Sequence, residues 1–157
     1  MTFIFVFIIL ALDQLTKFYF AKNLFLNQSV PVIKGFFHLT LVHNRGAAFG
    51  ILKNQIPLFI VTSLFAIILI FVHLKKYKTS YSLYSLSLSL ILAGAVGNFI
   101  DRVSFGYVID FLDFRIWPVF NVADSAITIG AILLGWSVLR SENKHGTPSH
   151  KATKSPV

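Results

Sequence analysis

The chain has 157 residues, of which 55% are hydrophobic and 13% are charged, with a formal net charge of +8 and a mean hydropathy of +0.73. A soluble domain carries about 25% charged residues, so this composition favours a single-domain integral membrane protein. The cations do not form one patch interleaved with exposed aromatic residues, which argues against nucleic-acid binding. The absence of cysteine excludes disulfides, thiolate metal sites and a cysteine nucleophile.

Apolar blocks at 3–20, 57–74, 81–100 and 122–139 are each long enough for a helix that crosses a bilayer. Residues 3–12 could also form a signal-peptide core. However, no cation precedes them, and Asp13 follows where a cleavage site needs small residues. Pro57 suits the first turn of the second helix, where its missing N–H costs nothing. We therefore expect four transmembrane helices.

Small residues recur four apart in the third and fourth blocks, a spacing that lets helix backbones approach closely in lipid. Glycine and alanine are also common in membrane helices, so the spacing does not decide whether any one pair packs closely. The pairs are Ala93 and Gly97, Ala126 and Gly130, and Ala131 and Gly135.

The connection between the first two helices has a different character. Residues 36–42 are rich in β-branched and aromatic side chains, Pro31 and Gly35 precede them, and Asn44-Arg45-Gly46 reads as a turn. We therefore expect a mainly α membrane protein with a small extracytoplasmic β-sheet between helices 1 and 2. The second connection, 101–121, is also mixed and aromatic.

The distribution of cations predicts the orientation. Lys75, Lys76 and Lys78 lie close together in a short loop, and such loops are cytoplasmic. We place this loop, the N-terminus and the C-terminus in the cytoplasm. The chain would then comprise one membrane domain over 1–140 and a polar cytoplasmic tail over 141–157.

All the aspartates lie in or beside apolar stretches, where an ionised carboxylate needs a partner, water or a function. The topology brings them towards the outer end of the helices, with Asp101 ending the third helix. A small proton- or cation-coupled transporter with a carboxylate relay is an alternative function, but a relay needs acids at several depths. The five aspartates are Asp13, Asp101, Asp110, Asp113 and Asp124.

Asp110 and Asp124 could form a pair if the second connection folds back across the start of the fourth helix. Two adjacent carboxylates in a poorly solvated site cannot easily both ionise. One can then take a proton from water while the other polarises a carbonyl. A simpler reading stays open for Asp124, because Asn121 suits an N-cap and Asp124 then falls at N3, where a carboxylate matches the helix dipole.

Two further pairs carry charge at these helix ends. Asp13 and Lys17 are four apart and would form an internal ion pair. Arg102 beside Asp101 could orient a substrate or merely complete an interfacial pair. The histidines are not spaced as a metal site, so we expect no metal or cofactor, although a metal on Asp and Asn oxygens stays possible.

Five short motifs occur in order: DQLTK at 13–17, NRGAAFG at 44–50, GNFIDR at 97–102, GYVIDF at 106–111 and FNVAD at 120–124. Together they resemble the bacterial lipoprotein signal peptidase family, also called signal peptidase II, over residues 3–140. The resemblance implies an aspartic endopeptidase that removes the signal peptide from diacylglyceryl-modified prolipoproteins. The family cleaves on the N-terminal side of the lipid-modified cysteine.

The resemblance also implies roles for single residues, with Asp110 and Asp124 as the catalytic pair. Residues 22–54 would form the surface sheet and a flap near the substrate. Implied partners are prolipoproteins, membrane lipid and globomycin-type inhibitors, and the protein would act as a monomer in the bacterial inner membrane with its active site near the outer face. Substrate-orienting or site-supporting residues would be Asn44, Asn98, Arg102, Asn121, Asp101, Asp13 and Lys17.

Overall fold

The computed structural model describes residues 2–46, 52–76 and 83–145. Within these ranges the elements are α1 (Thr2–Asn23), β1 (Ser29–Ile33), β2 (Phe37–Asn44), α2 (Ile56–Lys76), α3 (Leu83–Phe105), β3 (Val108–Asp113) and α4 (Val122–His145). Four of the described helices are long and apolar enough to cross a membrane. The predicted helices and the mainly α architecture are therefore confirmed.

Two helices extend beyond the ends predicted from the sequence. α3 continues past Asp101 to Phe105, so the prediction that Asp101 ends this helix is wrong. The helix ends where Gly106 adopts a φ of 74° and its N–H bonds to Arg102 O at 3.1 Å, which is a C-terminal cap that glycine favours. α4 likewise continues through His145, past the predicted start of the tail at 141. The rest of that tail lies outside the described residues, as do residues 47–51 of the predicted flap.

The described strands form one antiparallel sheet in the order β1-β2-β3. The predicted sheet between the first two helices is confirmed as β1 and β2, and it is extended by β3 from the connection between α3 and α4. β3 was not predicted as a strand because it is buried along almost its whole length, so it lacks the alternation of a half-exposed strand. Its pairing sets Val42 opposite Asp110 and Asn44 opposite Val108.

α3 is the central helix of the described bundle and packs against α1, α2 and α4. Serines, alanine, glycines, Asn98 and Asp101 make up most of its buried positions, so neighbouring backbones can approach it closely. α2 contacts α3 around a cluster of Leu74, Leu88 and Leu92. This arrangement leaves the polar ends of α1, α3 and α4 beside the sheet.

Two of the glycines singled out in the sequence lie where a neighbouring helix leaves no room for a side chain. A Cβ added at Gly130 would lie 2.8 Å from Ser87 O, and one at Gly97 would lie 2.5 Å from Asp13 Oδ2. A Cβ at Gly135 would meet nothing within 4 Å, so the pair with Ala131 does not form a close contact among the described residues.

Gly94→Ala should destabilise the fold, because the new methyl group would overlap the backbone carbonyl oxygen of Ala123 on α4. Overpacking of this kind costs about 1–3 kcal/mol. Gly135→Ala is the matched control, since its methyl group meets open space. Thermal unfolding in detergent should show a lower transition temperature for Gly94→Ala alone. Equal temperatures for the two variants would contradict the close contact between α3 and α4.

Candidate active site

The site forms where β3 crosses the start of α4, between the ends of α1 and α3. Six polar or charged side chains that meet at this point are each at most 5% exposed, a burial that requires hydrogen-bonded partners. They are Asp13, Lys17, Asn98, Asp101, Asp110 and Asn121. The structure therefore brings the predicted site residues of α1, α3 and β3 together in one buried cluster, with Asp124 beside them.

Asp110 is held by two amide groups from different elements. Asn44 Nδ2, at the end of β2, donates to Asp110 Oδ2 at 3.0 Å. Asn121 Nδ2, just before α4, donates to Asp110 Oδ1 at 2.7 Å. Both carboxylate oxygens of Asp110 are thus oriented by amide donors.

Asp124 is connected to the same network through Asn98 and Asn121. Asn98 Nδ2 donates to Asp124 Oδ1 at 2.7 Å, and Asn121 Nδ2 donates to Asn98 Oδ1 at 3.2 Å. The predicted N-cap is confirmed, because the N–H of Asp124 donates to Asn121 Oδ1 at 2.8 Å. The described hydrogen bond of the Asp124 carboxylate is to a side chain of α3, so Asp124 does more than complement the helix dipole.

The protonation of Asp110 follows from this burial. Loss of solvent, and then the charge of Asp124, raise the pKa of Asp110 to about 7, although the hydrogen bonds from Asn44 and Asn121 and the charge of Lys17 act in the opposite direction. Burial beside a second carboxyl group therefore favours the protonated form of Asp110. A pair of carboxyl groups that shares one proton can serve as both acid and base.

Lys17 lies at the centre of a buried charge cluster. Its Nζ is 2.8 Å from Asp13 Oδ2 and 2.9 Å from Asp101 Oδ2, and it donates to Asn98 Oδ1 at 2.9 Å. These contacts use all the donors of an ammonium group. The ion pair predicted between Asp13 and Lys17 is confirmed, but it is part of a cluster that also contains Asp101.

Arg102 extends from the same end of α3 towards α2. Its Nη1 donates to Asn98 O at 3.4 Å, and its guanidinium carbon lies 5.0 Å from the centre of the Phe59 ring. Its Nε is buried and has no partner among the described residues. Asp101 pairs with Lys17, so the simple Arg–Asp pair considered from the sequence is not the arrangement seen.

A cavity of about 540 Å³ opens beside this network, between α2, α3 and α4. Asn44, Asn98, Arg102 and Asp124 line its polar end. Its other walls are largely apolar or weakly polar, and they include Thr62, Ser63, Ala66, Ile91, Ala95 and Ile127. The cavity therefore joins a charged, hydrogen-bonding end to a surface that suits apolar groups.

Asp113 lies in the same connection as Asp110, as the sequence predicted, but it makes no described contact with the buried cluster. It ends β3 and accepts from Thr40 Oγ1 at 2.7 Å and from Arg115 Nη1 at 3.1 Å. Burial acts to raise the pKa of Asp113, but these two partners outweigh it and lower the pKa overall. Asp113 lies three residues beyond Asp110 on β3 and pairs with His38 of β2, whereas Asp110 pairs with Val42.

Sequence reasoning missed Gln14, whose side chain connects α1 to α3. Its Nε2 donates to Asp101 Oδ1 at 3.2 Å and to Gly97 O at 3.3 Å. Its position between Asp13 and Lys17 was the available signal. Within the described ranges, no group of three or more His, Asp or Glu residues could hold a metal ion, and independence from metals stays a prediction.

Comparison with known proteins gives the family. The family model described as signal peptidase (SPase) II matches residues 5–140. The chain belongs to the signal peptidase II family. This family, together with the four apolar helices among the described residues, makes it a multi-pass bacterial membrane protein, and it is a peptidase of the signal peptidase II type.

Relatives and solved structures agree with this assignment. A lipoprotein signal peptidase from Moorella thermoacetica is 49% identical over 88% of this chain and 93% of its own length. One from Caldanaerobacter subterraneus is 55% identical over 82% of this chain and 88% of its own. A solved structure of a bacterial membrane enzyme, determined by the in meso method at 2.3 Å, has a TM-score of 0.84 and 33% identity, covering 99% of this chain and 94% of that one.

Proposed function

We propose that this signal peptidase removes signal peptides from diacylglyceryl-modified prolipoproteins, with Asp110 and Asp124 as its catalytic dyad. The observation that carries the proposal is the hydrogen-bonded chain from Asp110 through Asn121 and Asn98 to Asp124. This network holds the two carboxyl groups in one largely buried site, and two neighbouring carboxyl groups in such a site can act as an acid and a base. The names of the relatives as lipoprotein signal peptidases support the class of substrate.

Hydrolysis would use one ionised and one protonated carboxyl group. The ionised group takes a proton from a water molecule, and the water oxygen attacks the carbonyl carbon of the scissile peptide. The protonated group donates to the carbonyl oxygen. Collapse of the tetrahedral intermediate breaks the C–N bond, and a carboxyl group delivers the proton to the leaving nitrogen.

The surrounding amides and the guanidinium would orient the reaction. Asn44 and Asn121 hold both oxygens of Asp110, and Asn98 holds Asp124. Arg102 lines the cavity and has a buried Nε that no described residue satisfies, so it is suited to a carbonyl of the substrate. Asp13, Lys17 and Asp101 would support the site from behind.

The cavity would hold the apolar parts of the substrate. Its walls from α2, α3 and α4 face the spanning region, where a signal peptide or an acyl chain approaches from lipid. A globomycin-type inhibitor would occupy the same cavity beside Asp124. One copy of the chain supplies both aspartates, so the proposed active form is a monomer.

The dyad would lie at the outer face of the inner membrane, with both termini in the cytoplasm. Single cysteines in place of Asn54 and Ser80 test this orientation, because the native chain has none. A membrane-impermeant thiol reagent should label position 54 in intact cells and position 80 only after permeabilisation. The reverse pattern would place the dyad on the cytoplasmic side, where exported precursors are not processed.

The substrate class is tested with one precursor in two forms, with and without the diacylglyceryl group on its cysteine. Purified enzyme should cleave the modified form and leave the unmodified form intact under the same conditions. The Asp110→Asn variant serves as the enzyme control for background proteolysis. Equal cleavage of both forms would show that the lipid is not part of what the enzyme recognises.

A further inference from the structure

Each dyad residue follows a backbone N–H that donates to a supporting carboxylate, one carboxylate for each dyad residue. Asp101 Oδ2 accepts from the N–H of Ile109 at 3.0 Å, one residue before the dyad member on β3. Asp13 Oδ1 accepts from the N–H of Ala123 at 2.8 Å, one residue before the member on α4. A shift of either supporting carboxylate would therefore shift the backbone that carries one catalytic group.

α1 connects these two supports to each other. Lys17 Nζ lies 2.8 Å from Asp13 Oδ2 and 2.9 Å from Asp101 Oδ2. Gln14 Nε2 makes the same connection, donating to Asp13 Oδ2 at 3.1 Å and to Asp101 Oδ1 at 3.2 Å. Gln14 and Lys17 are three apart, so both point from one face of the helix.

We propose that Gln14 and Lys17 are positioning residues that set the separation of the two dyad carboxyl groups. They act through the supports Asp13 and Asp101, and their described side-chain contacts are with those supports, Gly97 and Asn98. The inference rests on the proposed function, since it assumes that the dyad performs the chemistry. It assigns to α1 a role in setting the rate of the reaction. Of the two residues, Gln14 is the less expected, because the sequence predicted a supporting role for Lys17 alone.

The cavity predicts which kinetic constant responds. Its lining residues come from α2, α3, α4 and the two connections, and none of them lies on α1. A change at Gln14 should therefore leave substrate binding intact and alter the alignment of the carboxyl groups. Misplacement of a catalytic group by about 1 Å can cost about 10²-fold in rate.

Gln14→Met tests the proposal, because it removes the amide donors and keeps a side chain of similar length. We expect kcat to fall on the order of tenfold, with KM changed by less than about twofold, because the loosened supports cost less than a full 1 Å misplacement. Thr16→Val is the matched control: among the described residues, the Thr16 hydroxyl bonds within α1, to Leu12 O and Asp13 O. It should keep kcat near the wild-type value.

Folded enzyme is quantified by size-exclusion chromatography before each assay, so that a loss of protein is not counted as a loss of rate. A wild-type kcat for Gln14→Met, or a kcat no lower than that of Thr16→Val, would overturn the proposal. A loss explained entirely by a rise in KM would overturn it as well. If Gln14→Met cannot be isolated, Gln14→Asn, which keeps the amide but withdraws it by one methylene, makes the same comparison.

The dyad itself is tested in the same assay with Asp110→Asn. An inactive Asp110→Asn beside a fully active Gln14→Met would leave the proposed function intact and reject the positioning role. An active Asp110→Asn would reject the dyad and with it this inference.

Discussion

Asp110→Asn and Asp124→Asn should each lower kcat by at least about 10²-fold, because each removes a group that must gain or lose a proton in the reaction. Asparagine is close to isosteric with aspartate, so the fold should persist. At position 110 the side-chain oxygen can still accept from Asn44 or Asn121. Turnover of a diacylglyceryl-modified precursor by purified variants provides the measurement.

Asp113→Asn is the matched control for these variants. Asp113 lies on the same strand as Asp110 and is also buried, but its contacts are with Thr40 and Arg115 at the other end of β3. Its replacement should change kcat by less than a few-fold. Near-native turnover by either dyad variant would show that the assignment is wrong, and equal losses in all three variants would point to a general effect of neutralising β3 and α4.

Lys17→Met should destabilise the protein by about 3–5 kcal/mol, because removal of one partner leaves buried charges uncompensated. Asp13 and Asp101 would then face each other without the ammonium group that lies within 2.9 Å of both. Asn98 Oδ1 would lose a donor as well. Thermal unfolding in detergent, with ligand absent, measures the loss.

The charges of the cluster predict which further substitutions restore the stability that Lys17→Met removes. Asp13→Asn with Lys17→Met should restore only part of it, because the Asp101 carboxylate is still buried without its cation. Adding Asp101→Asn removes the last charge of the cluster and should restore more. A double variant as stable as the wild type would show that Lys17 and Asp13 form an isolated pair, which contradicts the contact with Asp101.

The helices and the N-cap of α4 could be predicted from the sequence because their signals are local. Apolar blocks mark the helices, and Asn121 with Asp124 has the spacing of an N-cap, which the hydrogen bond between them confirms. The family resemblance selected Asp110 from among five aspartates. Local spacing alone could not distinguish Asp110 from Asp113, since the two lie on the same short strand.

The features that could not be predicted depend on contacts between distant parts of the chain. β3 is buried on both faces and shows no alternation, so its pairing with β2 was not visible in its sequence. The ion pair of Lys17 with Asp101 and the contacts of Gln14 with α3 both come from the packing of α1 against α3. Spacing within α1 revealed only the pair that lies four residues apart.

The most direct test of the account is the mass of the products formed from a diacylglyceryl-modified precursor. Wild-type enzyme should release a signal peptide that ends at the residue before the modified cysteine, and a lipid-bearing product that begins with that cysteine. Asp124→Asn should yield neither product on the same timescale. Products cut at another bond, or the expected products from Asp124→Asn at the wild-type rate, would contradict cleavage by this dyad.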